Sequence, residues 1–224
     1  AQMNAKVREL IAEALRADGV DEIFKMGEDQ TGPADIFDPD YLAKIEKIKL
    51  PNTKIKLLQK LLARAIEDFK KVNRAKGVDF SKQFKSLVER YNDRKDDDIL
   101  VSNVLEDFSD EIIALIPALK KEMESFKDLG IDLEEKAFYD ILKALTIKYD
   151  FSYPEDEMLI LAKAVKEVVE DKVKYTDWNH RDDIKAELKV DLILVLAKYG
   201  YPPVDRDEVY KEIFEQAESF KKYR

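Results

Sequence analysis

The sequence of 224 residues contains no cysteine, one histidine (His180), six glycines and seven prolines. Each scarcity excludes a class of chemistry. Without cysteine there is no disulfide scaffold, no thiol nucleophile and no thiolate metal site. A single histidine rules out multi-histidine zinc or iron centres, leaving carboxylate binding of a hard cation as the one metal chemistry the composition permits. The glycines, at 19, 27, 32, 77, 130 and 200, never cluster and none precedes a lysine, so the phosphate-cradling P-loop and the dinucleotide-binding turn are both missing. No run approaches the roughly 18 apolar residues of a membrane span, and the N-terminus lacks the basic, apolar and small-residue order of a signal peptide. A cytoplasmic protein with no membrane contact is expected. The first residue is Ala1 rather than methionine, from which we expect a piece of a longer polypeptide.

What is plentiful is charge, at 39% of residues, alongside 45% hydrophobic residues, enough to build a core. The net charge of -9 is unevenly spread. Lys44 to Lys95 carry 16 Lys+Arg against six acids, a net +10, while residues 1–43 and 96–224 carry -6 and -13. That asymmetry points either to a surface that prefers phosphates or an acidic partner, or to a solvated helix face in a highly charged protein.

Apolar residues recur at spacings of three and four almost throughout, which predicts an all-α fold, a bundle of long packed helices without significant sheet. Residues 1–26 read as an N-terminal connector helix, 27–37 as a polar linker, and 38–224 as one all-helical body. Asp38 before Pro39 is a helix start, expected to lead to about Lys49. An amphipathic helix is predicted from about Thr53 to Lys76, ended by Gly77, with Lys56, Lys60, Arg64, Lys70, Lys71 and Arg74 opposite its apolar side. Another is expected from about Ser81 to Lys95. A long helix from Ser102 to Leu129 contains Pro117, where a kink or break near Ile113 is expected. Gly130 closes it. Asp132 with Glu135, Ser152 with Glu155, and Asp205 with Glu208 read as capping boxes, and Asp177 as the cap of a helix running to Tyr199 and stopped by Gly200.

The search for chemistry finds little. Glu187 and Lys189 supply a Glu-x-Lys fragment of a metal-dependent nuclease motif, but on a helix. Asp96, Asp97 and Asp98 diverge as consecutive side chains, and His180 has no local Ser or Thr partner. No catalytic, cofactor-binding or metal-ligating residue is therefore assigned. Six cations, Lys56, Lys60, Arg64, Lys70, Lys71 and Arg74, are the candidate contacts for DNA or an acidic partner. Trp178, Asp191, Tyr199 and Tyr201 are candidate docking or structural anchors: Trp178 as a recognition anchor or a staple under a helix entry, Asp191 as half of a buried ion pair or the edge of a docking groove.

The segment YTDWNHRDDIKAELKVDLILVLAKYGYPP, Tyr175 to Pro203, resembles the most characteristic part of the C-terminal domain of type I restriction enzyme R subunits. AFYDIL (Ala137 to Leu142) and IFDPDYLAKIEKIKLPNTKIKLLQKLLARAIEDF (Ile36 to Phe69) resemble other parts of that domain in the same order, as does the basic segment FKKVNRAKGVDFSKQFKSLVERY. The resemblance covers nearly the whole chain. It implies a parent subunit that is an ATP-dependent DNA-translocating endonuclease, whose ATP and magnesium belong to motor and nuclease domains absent here. For this segment it implies a non-catalytic domain, without a cofactor of its own, docking the motor onto methyltransferase and specificity subunits. The alternative is a helical module that places the basic stripe of residues 56–74 on the phosphates of duplex DNA. Asp191 departs from the resemblance, since relatives tend to be basic in that helix.

Overall fold

A computed structural model describes residues 36–94, 102–202 and 206–223. Among them every regular element is helical: α1 (Pro39–Glu46), α2 (Pro51–Val72), α3 (Arg74–Asn92), α4 (Ser102–Asp128), α5 (Leu133–Lys148), α6 (Glu155–Val173), a 3₁₀ turn (Trp178–His180), α7 (Asp182–Lys198) and α8 (Arg206–Tyr223). The all-α expectation holds. The expected helix near the N-terminus, the polar segment 27–35, the aspartates at 96–98 and Asp205 lie outside the described residues.

The described residues form two compact units. One comprises those up to Ile66 together with Phe80–Glu122, and the other Glu67–Asp79 together with those from Met123 onward. In the first unit, α2 and α4 turn regularly spaced apolar residues inward: Ile55, Leu58, Leu62 and Ile66, and Leu105, Ile112, Ile116 and Leu119, are all buried. Tyr91 of α3 donates its hydroxyl to Asn52 at 2.5 Å and meets Phe108 edge-on, with ring centroids 5.4 Å apart. Of the kink or break expected near Ile113, the break does not occur: α4 runs through Pro117 as one helix. Pro117 lies on the exposed side, while Ile112, Ile116 and Leu119 bury the other, so the lost hydrogen bond is outweighed by packing on both sides of it.

The second unit is built on α5 to α8. Phe138, Ile141, Leu142 and Leu145 of α5, Met158, Leu161, Val165 and Val169 of α6, Ile184, Leu188, Leu192 and Leu196 of α7, and Val209, Ile213 and Ala217 of α8 share one core with Trp178 and Tyr201. Short connections fix the order. Asp132 accepts from the Glu135 amide at 2.8 Å while Glu135 accepts from the Asp132 amide at 3.0 Å, completing the predicted capping box. Three helix ends share one hydrogen-bond pattern. At α4 the Gly130 amide reaches Lys127 and the Ile131 amide Phe126; at α5 Asp150 reaches Ile147 and Phe151 reaches Thr146; at α7 Gly200 reaches Ala197 and Tyr201 reaches Leu196. Each places one residue in the left-handed region, at φ +66° for Gly130, +51° for Asp150 and +65° for Gly200.

Several boundaries differ from the expectation. The first helix stops at Glu46, with Asp38 capping it as expected by accepting from the Asp40 amide at 2.9 Å. Gly77 does not end a helix. The break falls at Asn73, and Gly77 lies within α3 where an added Cβ would stand 2.5 Å from the Cα of Lys70; the glycine serves close helix approach rather than a turn. At α6 the cap position is Pro154 without a side-chain bond and Glu155 is the first helical residue, so Ser152 and Glu155 form no box; the Glu155 carboxylate instead accepts from Tyr139 and Lys143. Asp177 precedes the 3₁₀ turn rather than α7, and α7 starts at Asp182 after Arg181.

Candidate docking surfaces

The basic stripe divides by pairing. In the first unit Lys56, Lys60 and Arg64 are exposed at successive four-residue steps on α2, one face of the helix. In the second unit Lys70 pairs with Glu67 at 3.5 Å, Lys71 with Asp68 at 2.7 Å and Arg74 with Glu215 at 2.5 Å. Lys70, Lys71 and Arg74 are thus each already matched by a carboxylate.

Behind Arg74 lies a buried polar network that sequence reasoning missed. Asn73 caps α3 by accepting from the Lys76 amide at 3.1 Å, and its side-chain amide donates to Asp140 at 2.6 Å. Lys136 donates to the same carboxylate oxygen at 2.5 Å. From α8, Gln216 accepts from the Arg74 amide at 2.8 Å and donates to the Val72 carbonyl at 3.0 Å, while Ser219 donates to the Lys71 carbonyl at 2.6 Å. Asn73, Lys136, Asp140 and Gln216 are all buried. Burial pushes the Asp140 carboxyl above the ordinary aspartate value, against the opposing pull of Lys136 and Asn73. The network satisfies the orphaned backbone groups at the junction of α2 and α3, a structural task. Its sequence signal is Lys136 and Asp140, one turn apart, on either side of Ala137, Phe138 and Tyr139.

Beside it a cavity of about 390 Å³ opens among α3, α5 and α8, floored by Ala75, Val78, Ile141 and Leu145. Its cations and acids balance. Lys148 and Tyr149 donate to Glu208 at the rim and hold that carboxyl below the usual glutamate range.

The third surface is the outer side of α6 and α7. The core-facing residues of α7, Ile184, Leu188, Leu192 and Leu196, recur every four positions. A second series, Ala186, Val190 and Leu194, is displaced by two residues and therefore lies about 200° around the helix, exposed together with Ala197. Val190 and Leu194 keep 54% and 62% of their surface open to solvent, and Ile160 of α6 keeps 54%. Two adjoining cavities share Asp191: one is lined by Lys172, Ala186, Glu187 and Val190, the other by residues that include Ala164, Glu167, Val168 and Val195. Asp191 stands 3.4 Å from Lys172, which also bonds Glu187 at 3.1 Å. That hydrogen bond to Glu187 raises the Lys172 ammonium above the ordinary lysine value. With the Asp191 side chain 41% exposed, the pair lies at a groove edge rather than in the interior.

The remaining anchors are accounted for within the second unit. Trp178 is fully buried in the core, and its indole N–H has no partner among the described residues. Tyr201 is buried, donates to the Leu142 carbonyl at 2.8 Å and meets Phe151 and Tyr153 edge-on, both at 5.4 Å. Burial pushes its phenol well above the usual tyrosine value. The carbonyl of half-buried Tyr199 accepts from Tyr153 at 2.6 Å. His180 is exposed in the 3₁₀ turn. Glu187 and Lys189 diverge, the first to Lys172 and the second to Asp207 at 2.9 Å. Among the described residues no three His, Asp or Glu side chains converge as a metal ion requires, and no helix is long and apolar enough to cross a membrane.

Comparison with known proteins fits these helices to one family. A family model described as type I restriction enzyme HindI endonuclease subunit-like, C-terminal, matches residues 1–223. The type I restriction enzyme HindI endonuclease subunit of Haemophilus influenzae is 23% identical over 214 residues, covering 95% of this chain and 19% of that protein. A putative type I restriction enzyme MjaIXP endonuclease subunit of Methanocaldococcus jannaschii is 23% identical over 220 residues, covering 95% of this chain and 20% of that protein. The chain thus spans about a fifth of the length of these relatives. No solved structure matches it.

Proposed function

The chain belongs to the type I restriction enzyme HindI endonuclease subunit-like C-terminal family, and from that membership we propose that it is a non-catalytic docking domain. It holds the motor and nuclease parts of an ATP-dependent DNA-translocating endonuclease against the methyltransferase and specificity subunits. The observation that supports docking is α7, which is apolar on two opposite sides and spends only one of them on its own core. A contiguous apolar face open to water is uncommon on a protein that works alone.

Size-exclusion chromatography with light scattering tests the reading: the chain mixed with its cognate methyltransferase core, without DNA, is expected to co-elute as a stable complex. Separate elution rejects it.

A second reading rests on Lys56, Lys60 and Arg64. Exposed on one helix face at one-turn intervals, they suit a row of backbone phosphates, and Lys56 and Arg64 have no carboxylate partner among the described residues. In this reading the domain steadies duplex DNA passing the motor.

A further inference from the structure

We propose that the groove between the outer sides of α6 and α7 receives an amphipathic helix whose apolar stripe is flanked by lysines or arginines, supplied by the methyltransferase core. This rests on the docking reading and identifies its surface and the chemistry of its partner.

The groove has the form a helix needs. The two helices run antiparallel, since Lys172 near the end of α6 meets Glu187 and Asp191 around the middle of α7, while Ala164 shares a cavity with Val195 and Tyr199 further along. Their outer residues leave a shallow channel whose small side chains, Ala164 and Ala186, permit close approach of a third helix at the usual 8–10 Å between axes. Val190 lines the channel and Leu194 follows it one turn along α7, both exposed, so that they offer apolar contact at helical spacing, the pattern by which a groove grips an amphipathic helix.

The charges select the occupant. Glu167, Asp171, Glu187 and Asp191 line the channel against Lys172 and Lys198. Lys172 lies between three carboxylates, at 3.1 Å from Glu187, 3.4 Å from Asp191 and 3.9 Å from Asp171. Asp171 has a second cation in Lys174 at 2.6 Å, but Glu167 has no ion pair among the described residues. The channel is therefore short of positive charge, and an incoming helix with basic flanks supplies it. A phosphate backbone is repelled by the same carboxylates. The cavity among α3, α5 and α8, with its balanced rim, makes no such selection.

The test compares four forms of the chain: unaltered, Leu194→Asp, Glu167→Lys with Glu187→Lys, and Lys56→Glu with Lys60→Glu and Arg64→Glu. Each is titrated against the methyltransferase core and weighed alone by light scattering, with circular dichroism to verify the fold. Leu194→Asp is expected to weaken binding by at least about tenfold, as loss of a central apolar contact does. The Glu167/Glu187 reversal is expected to weaken it most at low salt, with the difference shrinking as salt rises, and the stripe variant to bind as the unaltered chain does. If Leu194→Asp and the Glu167/Glu187 reversal both bind normally, the groove is not the docking surface. If only the apolar variant fails, the basic flank is wrong. A chain that dimerises alone and becomes monomeric on Leu194→Asp shows that a second copy is the occupant. If the unaltered chain forms no complex, the docking reading falls and this inference with it.

Discussion

Individual residues carry two opposite lessons about glycine and the left-handed backbone. Gly130 and Gly200 were legible as helix stops because each ends an apolar-periodic run, and both adopt positive φ there. Gly77 reads the same way in sequence but sits inside α3, because close approach to Lys70 leaves no room for a side chain and leaves no trace in local pattern. Asp150 is the converse: it occupies the same helix-end position as the two glycines, at φ +51°, with a side chain attached. An L-residue pays a steric cost in that region, and a carboxylate at a helix C-terminus opposes the macrodipole. Asp150→Gly is therefore expected to stabilise the chain by about 0.5 kcal/mol, the steric and electrostatic gains slightly exceeding the added flexibility of the unfolded state. Urea unfolding checks it; a lower midpoint for the variant contradicts the reading.

Elements were legible where apolar periodicity and a local cap agree, and illegible where the deciding partner is distant in sequence. The α5 box, made of residues three apart, was readable. The break between α2 and α3 was not, because no proline or glycine marks Asn73; its groups are satisfied by Asp140 and by Gln216, more than a hundred positions along from the break in the latter case. Ser152 failed as a cap because α6 begins at Glu155 rather than beside Ser152, and the Glu155 carboxylate is held by Tyr139 and Lys143, a tertiary choice. Gln216→Leu isolates the junction: it removes the acceptor of the Arg74 amide and the donor to the Val72 carbonyl at a fully buried position. With two backbone groups left unpaired, a loss of about 2–4 kcal/mol is expected in denaturant unfolding. The link between α5 and α8 at Glu208 gives a pH signature. Hydrogen bonds from Lys148 and then Tyr149 hold its folded pKa below the unfolded glutamate value of about 4.3. Its stabilisation is present above that value and is lost as pH falls through the folded pKa. Glu208→Gln is thus expected to melt lower than the unaltered chain at pH 7, with the difference shrinking as pH falls below the unfolded value of about 4.3 and vanishing once the folded carboxylate is protonated. A difference unchanged by acid would mean that the carboxylate charge contributes nothing.

At the scale of the whole molecule, apolar periodicity forecast the all-helical architecture, and the ordered motifs from Ile36 to Pro203 carried the family likeness that the family model bears out. The outer side of α7 was half legible: the run from Val190 to Ala197 is apolar enough for two faces, but only packing shows which of them is left open. The basic middle of the chain is the feature whose meaning changes most. Counted in sequence, six stripe cations neutralising six phosphates imply a log-log salt slope near -5.4, at about 0.9 per phosphate. In the folded chain Lys70, Lys71 and Arg74 already face Glu67, Asp68 and Glu215, and binding DNA through them requires breaking those pairs. Lys56 and Arg64, which have no carboxylate partner among the described residues, are expected to act without that cost, giving a slope near -1.8 for two phosphates at about 0.9 each. Anisotropy titration of a fluorescent duplex over a salt series measures it directly. Under the DNA reading, Lys56→Glu with Lys60→Glu and Arg64→Glu abolishes binding, whereas Lys70→Gln with Lys71→Gln leaves slope and affinity nearly unchanged. A slope close to -5.4 would show instead that the carboxylates release all six cations to the nucleic acid, and duplex affinity untouched by the triple reversal would remove the stripe from DNA recognition altogether, leaving docking through the acidic and apolar side of the second unit as the reading that stands.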